Sequence, residues 1–266
     1  MTRYVFATLC AGFLTLSSLL TGCGRNRTMV TMAGSTAFQP FAEKLAEEFM
    51  MNRADVSVTV QGGGSAVGIQ SALSGAAQIG MADLVNLPPE AAALSKTVVA
   101  RDGIAVVVNP VNPATNLTME QIRAIFNGTA ANWKEFGGPD KPIVVVSREA
   151  GSGTRSSFEQ IVKDIKLTGN AIIQDSNGTI RETVANDASA IGYLSHGLLN
   201  EKIKALTVGG ESCTTAAVLA NRYPLVRPVY LLTRGAPQGA AKDVIDFMTS
   251  AQGQKMIQDS GLLPAK

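Results

Sequence analysis

Pro142-Ile143-Val144-Val145-Val146-Ser147-Arg148-Glu149-Ala150-Gly151-Ser152-Gly153-Thr154-Arg155 reads as a strand that turns straight into a helix. Ile143 to Val146 is an apolar β-branched run, and beyond the turn Phe158, Ile161, Val162 and Ile165 recur at helical spacing. The first turn of a helix carries backbone N–H groups without intrahelical acceptors, together with the positive end of the macrodipole. Gly151 and Gly153 let a ligand come close to the backbone, while Ser152 and Thr154 add hydroxyl donors. Arg148, at the end of the strand, offers a planar fork suited to a tetrahedral oxyanion. The stretch has the makings of an anion site. The plainer alternative, an ordinary strand–helix turn with a surface arginine, has to be decided by the rest of the chain.

The same unit occurs twice upstream. Met29 to Met32 is a short apolar strand running into Gly34-Ser35-Thr36-Ala37, and Phe38, Phe41, Ala42, Leu45, Ala46 and Phe49 then mark one face of a helix. Pro40 is tolerated only in a first turn, so that helix is expected to begin near Thr36 or Ala37. Helix capping and ligand binding use one geometry, and the local sequence leaves both open for Ser35 and Thr36. Val56, Val58 and Val60 alternate with polar residues, and Gly62-Gly63-Gly64-Ser65 leads into a helix with Ile69, Ala72 and Leu73. That turn is no P-loop, because no Gly-Lys-Ser/Thr follows, and it lacks the glycine spacing of a dinucleotide fingerprint. Gln78 to Ala82 is a short buried strand with Asp83 at its end, where an acid can cap a helix, face solvent or meet a ligand.

A long β-rich run, Thr97 to Asn109, is broken only at Asp102-Gly103 and ends in Asn109-Pro110-Val111-Asn112-Pro113. That punctuation reads as a crossing into a second lobe, and Val226 to Thr233 as the return. Thr118-Met119-Glu120-Gln121 is a capping box. Ile172-Ile173 and Ala190 to Leu194 read as strands, Asn177 to Ala185, Ala240 to Met248 and Gln254 to Ser260 as helices, and the sole Trp133 as a packing residue. Strands alternating with helices argue an α/β fold with mainly parallel sheets. Two crossings argue two lobes joined by a hinge: residues 29–108 with 229–266, and residues 109–228. In such sheets ligands sit beyond the carboxyl ends of the strands, where all the glycine- and hydroxyl-rich turns lie.

With 266 residues, 45% of them hydrophobic and 17% charged, the chain can fill two cores. A net charge of +2 without a basic block gives no footprint for nucleic acid. Residues 1–22 read as a secretory leader, with Arg3 ahead of an interrupted apolar run. Leu20-Thr21-Gly22-Cys23 is similar to a bacterial lipobox, which would make Cys23 the lipidated first residue of the mature chain and residues 23–28 a tether. Cys213, the other cysteine left after cleavage, reads as an inert small residue.

Several pieces in fixed order carry a resemblance: Gly34-Ser35-Thr36, Gly62-Gly63-Gly64-Ser65, Ile79-Gly80-Met81-Ala82-Asp83, Arg148 with Gly151-Ser152-Gly153-Thr154-Arg155, Ala190-Ile191-Gly192-Tyr193, and Ala251-Gln252-Gly253-Gln254. The chain resembles the phosphate-binding proteins of bacterial high-affinity phosphate ABC importers, in their compact lipoprotein form. One departure is Leu84 after Asp83, because family members often carry Ser-Arg after the position of Ala82 or an arginine just after the acid. The resemblance implies a two-lobed periplasmic-binding-protein-like fold of type II, closing on one dehydrated inorganic phosphate. Thr36, Ala37, Ser65 and Asp83 would contact it from the first lobe, and Arg148, Ser152, Gly153 and Thr154 from the second. It also implies a monomer without catalysis, metal or cofactor. Such a protein works outside the cytoplasm, is held to the membrane surface by lipid on Cys23, and delivers phosphate to a membrane-embedded ABC permease. The competing readings are a binder of sulfate, molybdate or tungstate, a phosphate-binding adhesin or sensor, and a secreted phosphatase. A phosphatase needs a metal cluster or a nucleophile with its base, and His196 is the only histidine.

Overall fold

The computed structural model describes residues 27–265. The expected leader and Cys23 lie outside the described residues.

The chain opens with β1 (Thr28–Gly34), α1 (Gln39–Asn52), β2 (Val56–Gln61), α2 (Ser65–Ser74) and β3 (Ile79–Ala82), a run of parallel strand–turn–helix units. β4 (Leu94–Val108) follows, then β5 (Asn116–Leu117), α3 (Met119–Phe126), β6 (Val144–Arg148), α4 (Gly153–Val162), β7 (Ile172–Gln174), α5 (Asn177–Asn186) and β8 (Ala190–Ser195). The last part holds β9 (Lys204–Ala205), β10 (Thr207–Val208), α6 (Thr215–Leu219), β11 (Val226–Arg234), α7 (Gly239–Thr249), α8 (Ala251–Asp259) and β12 (Leu263–Pro264). The sheet runs β2-β1-β3-β11-β4-β8-β6-β7. Both wings are parallel, β1 with β2 and β3, and β6 with β7 and β8, whereas the two crossing strands β4 and β11 pair antiparallel with their neighbours.

β4 joins the wings. Its first part, Leu94 to Gly103, pairs with β11, and its last part, Ile104 to Val108, pairs with β8. Asp102-Gly103 is therefore no break but the point where one continuous strand changes partner. The physical reason is burial. Ile104 to Val108 are fully buried and pack with Leu117, Ile122, Ile125, Phe126, Trp133, Phe158 and Ile180. The other large core gathers Met32, Phe38, Phe41, Leu45, Phe49, Ile79, Met81, Val99, Val229, Leu231, Val244 and Met248. The α1 stripe read from the sequence supplies the buried residues of that helix.

Tight backbone packing brings the first turn close to the sheet. Gly34 has φ +135°, and a Cβ there would lie 2.1 Å from the Met81 carbonyl oxygen. Gly68 and Gly80 let α2 lie directly on β1 and β3, since a Cβ on Gly68 would meet Met81 O at 2.3 Å. In the second wing Phe158 of α4 stacks on Tyr193 of β8, centroids 4.1 Å apart, and Phe126 of α3 closes the cluster edge-on at 4.9 Å from Phe158. Tyr193 Oη bonds Ser147 Oγ at 2.8 Å, which fixes the strand end just before Arg148. Trp133 is fully buried, with Nε1 donating to the Ser189 carbonyl.

Candidate anion-binding site

Four helix N-termini converge between the wings. Thr36 lies in the turn before α1, Ser65 opens α2, Thr154 lies in the first turn of α4 and Asn177 opens α5. Asn177 Nδ2 donates to Thr36 Oγ1 at 3.2 Å and to Thr154 Oγ1 at 3.4 Å. Arg148 Nη2 donates to Thr36 Oγ1 at 3.3 Å, across the same gap. Every candidate site residue except Thr36 is buried: Ala37, Ser65, Asp83, Arg148, Ser152, Gly153 and Thr154. Thr36 itself is half-buried.

Ser35 and Ser152 act as caps, whereas Asp83 does not. Ser35 Oγ accepts from Phe38 N at 3.0 Å and so caps the turn, which leaves Thr36 to face the gap. Ser152 is the N-cap of α4, its Oγ accepting from Arg155 N, and that bond does not use the hydroxyl hydrogen. Asp83 caps no helix. Ser65 Oγ donates to Asp83 Oδ1 at 2.7 Å and accepts from Asp83 N at 3.1 Å. Thr154 Oγ1 donates to Asp83 Oδ2 at 3.4 Å, across the gap.

Arg148 is 1% exposed and heavily tied down. Nε and Nη2 donate to the two oxygens of Glu149 at 2.8 Å each, and to the carbonyls of Gln174 and Asp175. Its Nη1 is different: it is buried and has no hydrogen-bond partner among the described residues. Leaving a buried charged nitrogen unpaired costs free energy, and an anion is the kind of group that would pair with it.

The wings touch directly around these groups. Ala66 N donates to Gly151 O at 3.1 Å, Ser157 Oγ donates to Asp83 O at 3.2 Å, and Val85 N donates to Ser157 Oγ at 3.1 Å. Gly153 approaches so closely that a Cβ there would stand 2.1 Å from Ser65 Oγ and 2.7 Å from Asp83 Oδ1. The structure is a closed conformation.

Two groups at this site went unread in the sequence. The sequence pattern places Asn177 at a helix start, and an Asn there gives no local sign of reaching across a cleft. Arg227 of β11 lies behind Asp83, with Nη1 2.6 Å from Asp83 Oδ2, and its Nη2 lies 2.8 Å from Asp102 Oδ2. Burial is the largest influence on Asp102 and pushes its carboxyl above the ordinary carboxylate range, against the pull of Arg227 and Ser195. His196 stands apart from the site, its Nδ1 beside the Gly261 carbonyl. Among the described residues no group of three or more His, Cys, Asp and Glu is placed to hold a metal.

Two sheet wings joined by crossing strands, with polar helix N-termini facing one another over the gap, define a solute-binding protein of the two-lobed kind. A model of the PBP superfamily domain matches residues 21–252, and the chain belongs to that family. It is 35% identical to the phosphate-binding protein PstS of Bacillus subtilis over 240 residues, covering 88% of this chain and 80% of that one. It is 28% identical to PstS of Borreliella burgdorferi over 271 residues, 96% of this chain and 97% of that one. Among solved structures, a putative phosphate ABC transporter substrate-binding protein of Clostridium perfringens, with bound phosphate, superposes with a TM-score of 0.86 at 39% identity. That match covers 90% of this chain and all of the other. An ABC-type phosphate transport receptor of Vibrio cholerae gives 0.74 at 34% identity, covering 88% and 99%.

Proposed function

We propose that the protein captures inorganic phosphate between its lobes and hands it to an ABC permease in the membrane. The observation that carries this reading is Arg148 Nη1, buried and unpartnered at the meeting point of four helix N-termini. Thr36, Ala37, Ser65 and Asp83 serve as the contacts of one lobe, and Arg148, Ser152, Gly153 and Thr154 as those of the other. Asn177 joins them from α5, on the strength of its bonds to Thr36 and Thr154. Arg148 is balanced by Glu149, so dipoles and hydroxyls do most of the binding, and the dianion is held without a large excess of positive charge.

Asp83 selects the ligand. An ionised carboxylate only accepts hydrogen bonds. It pairs with a P–OH, and it faces a bare sulfate oxygen as one acceptor against another. That favours hydrogen phosphate over sulfate, molybdate or tungstate. The relatives are named as phosphate-binding and phosphate-transport proteins, and we take this protein likewise to be a carrier and not an enzyme.

The lobes are best drawn at the partner change in β4, with residues 28–103 and 227–264 in one and 104–226 in the other, and Gly103–Ile104 with Val226–Arg227 as the hinge. Anchoring through lipid on Cys23, outside the cytoplasm, completes the reading; among the described residues no helix is long and apolar enough to cross a membrane. A thermal-shift panel tests the function, because a ligand that binds only the native state raises its melting temperature. Phosphate and arsenate are expected to raise it, and sulfate, molybdate and a phosphomonoester to leave it unchanged. Stabilisation by sulfate or molybdate instead of phosphate would overturn the assignment.

A further inference from the structure

Arg227 lies in β11, and its side chain is fully buried. One guanidinium serves two acids. Nη1 stands 2.6 Å from Asp83 Oδ2 and 3.4 Å from the Asp83 carbonyl, while Nη2 and Nε reach Asp102 Oδ2 at 2.8 and 3.2 Å. Asp102 is its cross-strand partner on β4. Ser195 Oγ of β8 donates to the other Asp102 oxygen at 2.8 Å, and Asn177 Oδ1 accepts from Ser195 N at 3.1 Å. A continuous line of buried polar contacts thus runs from Asp83, through both crossing strands, to the Asn177 that faces Thr36 and Thr154.

Asp83 meets the cleft on one face and Arg227 on the other. Without Arg227 it would share a dry interior with Asp102 and lose the cation that faces it from behind. Removing one partner of a buried pair leaves an uncompensated charge, and a carboxylate in that position is driven to take up a proton. A protonated carboxyl donates as well as accepts, and would accommodate an oxyanion that has no proton of its own. We propose that Arg227 is a specificity-determining positioning residue: paired with Asp83 from behind, it keeps that carboxylate a pure acceptor, so that the cleft takes an oxyanion bearing a proton and refuses one without. Asp102 fits the arrangement as the second acid, the one that burial pushes towards its neutral form. The proposal deepens the phosphate reading and rests on it.

Competition titrations of phosphate against sulfate test it, on the wild-type protein and on Arg227→Gln and Arg227→Lys variants shown to be folded. Arg227→Gln should lower the phosphate-to-sulfate affinity ratio at least about tenfold, with a gain in sulfate affinity, because the Asp83 carboxyl becomes able to donate. Arg227→Lys retains a cation and should bring the ratio back to within about threefold of wild type. If Arg227 only braces the hinge, Arg227→Gln lowers both affinities and the melting temperature in parallel, and an unchanged ratio overturns the proposal. Should Arg227→Gln fail to fold, Asp102→Asn carries the test. It leaves Arg227 wholly to Asp83, so the ratio should hold or rise, and a fall of about threefold or more overturns the proposal. A wild-type protein that binds no phosphate overturns the phosphate reading itself, whereas phosphate binding with a ratio indifferent to Arg227→Gln overturns this proposal alone.

Discussion

At the scale of single residues, Gly153 shows how little room the closed site leaves. Its backbone is in an ordinary helical first turn, so an alanine fits the conformation, but the added Cβ would meet Ser65 Oγ and Asp83 on the opposite lobe. Overpacking of this kind costs about 1–3 kcal/mol. Gly153→Ala is therefore expected to weaken phosphate binding roughly 5- to 150-fold while leaving the phosphate-free melting temperature nearly unchanged, as calorimetry and thermal melts on one preparation can check. Arg148 acts in the opposite sense, since it supplies the unpaired donor. Arg148→Ala should lose on the order of 2–5 kcal/mol of binding, the range for truncating one partner of a buried charge pair. A loss below about threefold would remove Arg148 from the site. For Asp83, Asp83→Asn supplies an amide that can donate or accept, so phosphate binding should survive weakened while the phosphate-to-sulfate ratio falls at least about tenfold. An unchanged ratio would end its selective role.

The elements explain why these residues are where they are. α4 is pinned by Phe158, which is 1% exposed and stacked on Tyr193, and Tyr193 in turn holds Ser147 next to Arg148. Phe158→Ala should cost about 3–5 kcal/mol of folding stability, read as a shift of the urea midpoint; a loss under about 1 kcal/mol would mean that α4 is held by something else. The strand–turn–helix units around Gly34, Gly64 and Gly151 were legible in the sequence because glycine, hydroxyl residues and a periodic apolar face mark them locally. Arg227 and Asp102 were not. Each interrupts an apolar β run, and a charge in that position reads as a turn or an edge until the other is seen across the strand pair, 125 residues away in the chain. Nor was the change of strand partner within β4 legible. That change occurs inside a strand, where continuous hydrogen bonding leaves no trace in turn chemistry.

For the molecule as a whole, direct bonds between the lobes close the structure. Ala66 to Gly151, Ser157 to Asp83 and Asn86 to Gln160 form only when the two halves meet. A ligand that contacts both halves shifts the equilibrium towards this state. Any bending on opening would fall to β4 and β11, which join the wings along the main sheet path among the described residues. On the phosphate reading, the interior between the wings holds a single phosphate. Isothermal titration calorimetry on protein freed of bound anion tests it most directly. It should give one phosphate per chain with a Kd of about 1 μM or tighter, near −8 kcal/mol or better, and no heat from sulfate at the same concentration. Silence towards phosphate, or an equal response to sulfate, would contradict it.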